Sequence, residues 1–409
     1  MNRTTKELHG LQILRGLAAT AVIIHHTLEE SNGAATAFSP NWLTTSGASG
    51  VDIFFVISGF VMLYTSFPMV RPPISPGSFI VRRATRIYPL YWICCLAMLG
   101  IWLAGFLQHH LPTSSTLALS LALLPSSALI LGVSWTLVYE VYFYGIFAIT
   151  LFSRRAVVSA TATTALIAIL GVTSGTFPAG TIQNFLANPI PCEFALGLGL
   201  AIGFRRLGAI GRRWPISSAW AIPGCVLLAL APLYVTHVTT AGLPGWPRVF
   251  AWGLPAALVV AAFLAVGAPR TAFQRGLVFL GDASYSLYLA HIFVMAGYGF
   301  ILRAEFISQA PQIAIAPVVV LLAMTFGAVV HLAVEKPLLR MVGRWTRGDY
   351  LISMRALRRA IRWNAYRPTQ PMAIGGSPLP LLLKACPFGL SRGPQPNLGN
   401  GAASTRRKK

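Results

Sequence analysis

The stretch "RGLAATAVIIHH" (residues 15–26) is an apolar run with an arginine at one end and two histidines at the other. Extended to residues 10–28, it approaches the roughly 20 residues a helix needs to cross a hydrocarbon core about 30 Å thick. Ionisable side chains in such a run are costly, and by default they mark a functional site or a buried pair. Arg15 and His26 are eleven positions apart. At about 100° per residue this puts them within about 20° of one helix face and about 16 Å apart along the axis. His25 points about 80° away from Arg15. The plainer reading is a snorkelling arginine and a helix-terminal histidine bonded to a neighbour.

The rest of the chain places that helix in a bilayer. Of 409 residues, 55% are hydrophobic and only 10% charged, with a mean hydropathy of +0.65. Soluble domains carry roughly 25% charged residues, so the expected fold is an all-α polytopic membrane protein. Ten spans are predicted, at 10–28, 49–67, 86–107, 133–152, 156–174, 185–204, 218–236, 248–267, 279–302 and 313–334. No signal-peptide pattern opens the chain, so the first apolar run is read as the first span. Segment 111–131 is also apolar, but Pro125 and its serines point to an interfacial or re-entrant piece.

Charge placement tests this count. Arg3 and Lys6, then Arg71, Arg82 and Arg83, then Arg154 and Arg155, Arg205, Arg206, Arg212 and Arg213, Arg270 and Arg275, and Lys336 and Arg340 all fall on one side of a ten-span chain. The alternate loops hold only Arg248 and Arg303, near their edges. By the positive-inside rule both termini are expected in the cytoplasm. The net charge of +22 lies mostly in loops and tail, which argues for a membrane surface and against nucleic acid. The boundary is expected near residue 340. Residues 1–340 form the membrane domain, and 341–409 a basic tail in which "YLISMRALRRAIRW" (350–363) has the pattern of a surface helix ahead of a disordered stretch. The tail also reads simply as a solvated extension. The five cysteines fall mostly in apolar runs, without metal spacing, and are expected to be buried thiols.

The ten acidic residues include four at or near membrane depth, Asp52, Glu140, Glu193 and Asp282. Asp52 starts the second span, level with His26 if that span runs the opposite way, and Glu140 lies about 10 Å below the outer start of the fourth. A histidine with carboxylates at its depth is what a general base needs, because a carboxylate fixes the tautomer and supports the imidazolium. Structural ion pairs give the same list. On the other side, "VRRATRIYPLYW" sets Arg82, Arg83 and Arg86 at the mouth of the third span. Arginine matches phosphate with planar, charge-assisted hydrogen bonds, although these three also fit as ordinary positive-inside residues. No phosphate-binding loop, dinucleotide fingerprint or zinc-protease motif occurs.

Six blocks in order resemble the acyltransferase-3 family of integral membrane O-acyltransferases. They are "LHGLQILRGLAATAVIIHH" (8–26), "GVDIFFVISGFVM" (50–62), "FIVRRATRIYPLYW" (79–92), "SWTLVYEVYFY" (134–144), "LGDASYSLYLAHIF" (280–293) and "VEKPLLR" (334–340). The family's Arg-x10-His signature falls on Arg15 and His26, and its closing Glu-x-Pro on Glu335 and Pro337. The likeness is to the branch that O-acetylates bacterial exopolysaccharide such as succinoglycan. The resemblance implies transfer of an acyl group, usually acetyl, from cytoplasmic acyl-CoA to a hydroxyl of a carbohydrate or lipid-linked oligosaccharide. It implies a multi-pass protein of the bacterial inner membrane, working beside polysaccharide-assembly proteins, with acyl-CoA as donor and no metal. On that basis His26 is the expected base, with Asp52 or Glu140 orienting it, and Arg15, Arg82, Arg83 and Arg86 are expected to hold the donor. His25, Trp135, Tyr139, Glu193 and His291 are further candidates. Trp135, Tyr139, Tyr142 and Tyr144 suit sugar stacking or plain packing, and Glu193 and His291 suit interhelical hydrogen bonds equally well. A proton-coupled carrier or flippase for a polysaccharide precursor is the rival class.

Overall fold

The apolar run around Ala18–Val22 winds into one unbroken helix, α1 (His9–Ser31), that buries Leu11, Leu14, Ala18, Val22 and His25 and turns Leu17 and Ile24 outward. The structure is a computed structural model, and it describes residues 8–33, 38–68, 72–106, 113–235 and 242–343. The expectations for the tail, including the surface helix at 350–363, lie outside the described residues. Among the described residues eleven further helices of eight residues or more follow α1: α2 (Asn41–Ser66), α3 (Pro76–Leu103), α4 (Ser114–Leu121), α5 (Gly132–Ser153), α6 (Ala156–Thr176), α7 (Thr181–Ala209, broken at 188–190), α8 (Ser218–Tyr234), α9 (Gly245–Phe263), α10 (Ala272–Asp282), α11 (Ser284–Ile301) and α12 (Gln312–Gly343). The described residues contain no β-strand. Nine of the helices are long and apolar enough to cross a membrane, and α8 is a shorter apolar helix where the seventh span was expected. The protein is an all-α, multi-pass membrane protein.

Segment 113–131 is not a span. It forms only the eight-residue helix α4 and an irregular stretch up to Leu131. Such backbone is tolerated at membrane depth only where protein satisfies its polar groups, and α3 does this. The hydroxyl of Tyr91 donates to Ser120 O at 2.8 Å, the indole N–H of Trp92 to Leu121 O at 2.9 Å and the hydroxyl of Tyr88 to Ala122 O at 2.9 Å. These carbonyls close the C-terminus of α4, where the regular helical pattern of donors ends; Ser120 O also accepts the Leu123 N–H at 2.9 Å. The Ser120 hydroxyl then accepts from the Ile130 N–H at 3.0 Å.

Small residues let the helices close on one another where lipid offers no hydrophobic drive to association. Gly59 of α2 faces Phe194 of α7, and Gly197 of α7 faces Val56 of α2; a Cβ on either would lie 2.1 Å from a backbone oxygen. Helix α1 packs against α2, α9, α10, α11 and α12, so the helix carrying Arg15 and His26 lies inside the bundle. Two helices contain a π turn, at Val249–Gly253 in α9 and His331–Glu335 in α12. Such turns frequently mark functional positions. Each one here adjoins or holds a buried charge, Arg248 before the first and Glu335 within the second. Of the cysteines, Cys94 and Cys95 are buried as expected, whereas Cys225 is exposed on α8.

Candidate active site

Two cavities lie along α1. The first, about 100 Å³, is lined by Arg15 of α1, Ser58 of α2, Arg83 and Arg86 of α3, and Glu140 and Tyr144 of α5. Glu140 accepts hydrogen bonds from the Ser58 hydroxyl at 3.3 Å and from the Tyr144 hydroxyl. Arg83 reaches the Thr65 hydroxyl at 3.4 Å and sits over the rings of Phe79 and Tyr144, 5.5 and 5.6 Å from their centroids. Arg15 donates to the Gln12 side chain at 3.3 Å. Among the described residues no ion pair joins Arg15, Arg83 or Arg86 to a carboxylate. Of the three arginines expected at this mouth to hold the donor, Arg83 and Arg86 face inward, whereas Arg82 is exposed and lines neither cavity.

The second cavity, about 320 Å³, falls within the size range of small-molecule sites. It is lined by His25, His26 and Glu29 of α1, Trp135 of α5, Arg248 of α9 and His291 of α11. His26 Nδ1 lies 3.2 Å from Glu29 Oε2. Its ring stacks on His291 at 5.2 Å between centroids. The Nδ1 atom of His25 lies 2.7 Å from the Thr44 carbonyl, the geometry of an N–H donated to the backbone, and the ring is buried. That bond fixes His25 against α2. The carboxylate that orients His26 is therefore Glu29, one turn along the same helix, and not Asp52 or Glu140. The ligand atoms of His25, His26 and Glu29 lie within 4.8 Å of one another, a spacing open to a metal ion; the Nδ1 atoms of both rings are already hydrogen bonded.

Asp52 is engaged elsewhere. Fully buried, it accepts Nε of Arg248 at 2.8 Å and Nη2 at 2.9 Å. This side-on bidentate pair is the strongest geometry available to arginine and carboxylate. The guanidinium also lies over Trp135 at 5.6 Å and Trp252 at 5.2 Å. Glu193, fully buried, packs against Gly253, which leaves room for its carboxyl, and interacts with the Asp52–Arg248 pair. Glu140, assigned with Asp52 as a partner for His26, belongs to the first cavity.

The comparisons with known proteins bear on what this pair of cavities serves. A family model described as an acyltransferase domain matches residues 8–333. The chain belongs to this acyltransferase family. It is 31% identical over 315 residues to the exopolysaccharide production protein ExoZ of Rhizobium meliloti (strain 1021), covering 72% of this chain and 90% of that one. It is 29% identical over 377 residues to the acyltransferase MdmB of Streptomyces mycarofaciens, covering 82% and 93%. A third relative, protein 2 in the picA locus of Rhizobium radiobacter, is 33% identical over 101 residues, 24% of this chain and 48% of that one. No solved structure matches.

In this acyltransferase the remaining candidates divide between lining and packing. Trp135 and His291 line the second cavity. Tyr139 lines neither cavity; it stacks on Phe185 at 4.3 Å and donates to the Phe185 carbonyl at 3.3 Å. Tyr142 meets the same ring edge-on. Asp282 ends α10. The closing Glu335 accepts from the Ser286 hydroxyl at 2.6 Å and lies 2.7 Å from His331 Nδ1, outside both linings. Sequence reasoning missed Glu29, Arg248 and Tyr288. Glu29 was within reach, because positions three and four beyond a histidine share its helix face. Arg248 carried a signal too, as a basic residue on the side otherwise poor in them.

Proposed function

We propose that the protein transfers a short acyl group from acyl-CoA to a hydroxyl of a carbohydrate acceptor, and that the acceptor is a bacterial exopolysaccharide or its lipid-linked precursor. One observation carries this reading: a single helix joins a cavity lined by three arginines, none in an ion pair among the described residues, to a larger cavity holding a histidine–carboxylate pair. Arginines left without counter-ions at membrane depth suit an anionic ligand, and Arg15, Arg83 and Arg86 would hold the CoA phosphates. The narrow first cavity suits a linear pantetheine arm better than a sugar. The second cavity has the volume, the aromatic wall of Trp135 and the base for an acceptor. The ExoZ likeness supports a polysaccharide acceptor, and the arginine-rich side supports a cytoplasmic donor in an inner membrane.

The chemistry follows from the tautomer. With Nδ1–H directed at Glu29, His26 presents Nε2 as a lone pair. Nε2 takes the proton of the acceptor hydroxyl as its oxygen attacks the thioester carbonyl. The carbon–oxygen bond forms, the carbon–sulfur bond breaks, and the departing thiolate takes a proton from the imidazolium. Glu29 holds the ring in line and supports its positive charge between these two transfers.

The test uses the full chain in membrane vesicles, with acetyl-CoA and a lipid-linked oligosaccharide extract, and measures free CoA thiol. Wild type should release CoA only when the extract is present, and His26→Ala should lower the rate by about 10²- to 10⁴-fold. Near-normal release by a stably inserted His26→Ala chain removes His26 from the chemistry. Absence of any acceptor-dependent release in wild type favours the carrier.

A further inference from the structure

The linings of the two cavities share two residues, Val51 of α2 and Tyr288 of α11. Both side chains are buried. The Tyr288 hydroxyl donates to the Val133 carbonyl at 2.7 Å and lies at hydrogen-bond distance, 2.7 Å, from the Thr136 hydroxyl. These partners belong to the start of α5, so the tip of the ring is tied across the bundle. The body of the ring is held as well. Phe54 meets it edge-on at 6.3 Å, and His291 lies tilted against it at 6.0 Å. His291 in turn stacks on His26. Tyr288 is therefore a fixed wall between the arginine cavity and the base.

We infer that Tyr288, with Val51, is the partition that sets the length of acyl group the enzyme transfers. This rests on the donor and acceptor assignment above. For the acceptor oxygen beside His26 to reach a thioester entering from the arginine side, the carbonyl carbon must stand at the junction of the cavities. Every carbon beyond the carbonyl must then fit against the Tyr288 ring and the Val51 methyls. The ring cannot swing aside without giving up two hydrogen bonds at its hydroxyl. Close-packed walls discriminate by methylene count, because a group too long must push apart atoms already in contact. The substrate class is thus an acyl-CoA with a chain of acetyl size.

The experiment compares acetyl-, butyryl- and hexanoyl-CoA as donors for the full chain in membrane vesicles, reading acceptor-dependent CoA release. Wild type should use acetyl-CoA and lose about tenfold or more in rate for each added methylene. Tyr288→Ala should raise the hexanoyl-to-acetyl rate ratio by at least about tenfold. Val51→Ala should raise it in the same direction by less, and it decides the matter if Tyr288→Ala is not recovered in the membrane. Tyr288→Phe keeps the ring but loses both hydrogen bonds that hold its tip, and should raise the ratio by less than Tyr288→Ala. An active Tyr288→Ala or Val51→Ala chain with the wild-type ratio overturns the partition while leaving the donor reading intact. A wild type that uses no acyl-CoA overturns both.

Discussion

Among the described residues four arginines line the two cavities, and they are held in two different ways. Arg248 is paired: Asp52 takes two of its N–H groups side-on, and two tryptophan rings lie against it. Arg15, Arg83 and Arg86 have no carboxylate partner among the described residues, and their cavity is lined by the single carboxylate of Glu140, itself occupied by Ser58 and Tyr144. A buried charge pair of the first kind closes on itself and locks two helices together. A cluster of the second kind carries three positive charges around one carboxylate, and its surplus charge favours an anion. The difference separates an arginine held in a closed ion pair from arginines that, on the proposed reading, meet the donor.

Substitutions can break that contrast. Arg248→Met leaves Asp52 buried without its counter-charge, and it should cost about 3–5 kcal/mol of stability, read as loss of folded protein in detergent. If Arg248→Met is folded and merely slow, the structural assignment of Arg248 fails. Arg86→Ala should leave the fold intact and raise the KM for acyl-CoA by about 10- to 100-fold, the equivalent of one or two charge-assisted hydrogen bonds. The same loss expressed in thermal stability would place Arg86 with Arg248 instead. Glu29→Gln should lower kcat by about 10-fold or slightly more, since it keeps the shape of the dyad but withdraws a charged hydrogen bond from the imidazolium. Arg82→Ala is the smallest expected effect, a change of less than about twofold in acyl-CoA affinity at physiological salt, because its exposed charge is screened. A tenfold loss there would return Arg82 to the donor site.

Length and hydropathy located nine of the ten expected spans, because a membrane-spanning segment must satisfy its own backbone within one continuous apolar stretch, but they did not anticipate that a separate helix, α10, precedes α11. Segment 113–131 shows where that rule also identifies an exception, since proline and serines interrupt the run and α3 supplies the missing partners. Within the site, the 3.6-residue period placed Arg15 and His26 on one stripe, and they do line successive cavities. Depth alone could not pair Asp52 with its partner. Arg248 is 196 positions away in sequence, and levels in a membrane say nothing of azimuth around the bundle. The nearer answer, Glu29, lies three positions beyond the opening stretch, on the helix face of His26.

The π turn at Val249–Gly253 gives this contrast a consequence in terms of phase. One residue more than an α-helix needs is wound into that turn, so everything on one side of it is rotated by about 100° relative to a regular helix. Phe250, exposed on its outer surface, is dispensable for apolar length. Deleting it would leave a helix as hydrophobic as before, able to enter the bilayer, yet Arg248 and Gly253 could no longer both meet the Asp52–Glu193 side of the bundle. The membrane reads this helix as a quantity of apolar residues, whereas the site reads it as an angle.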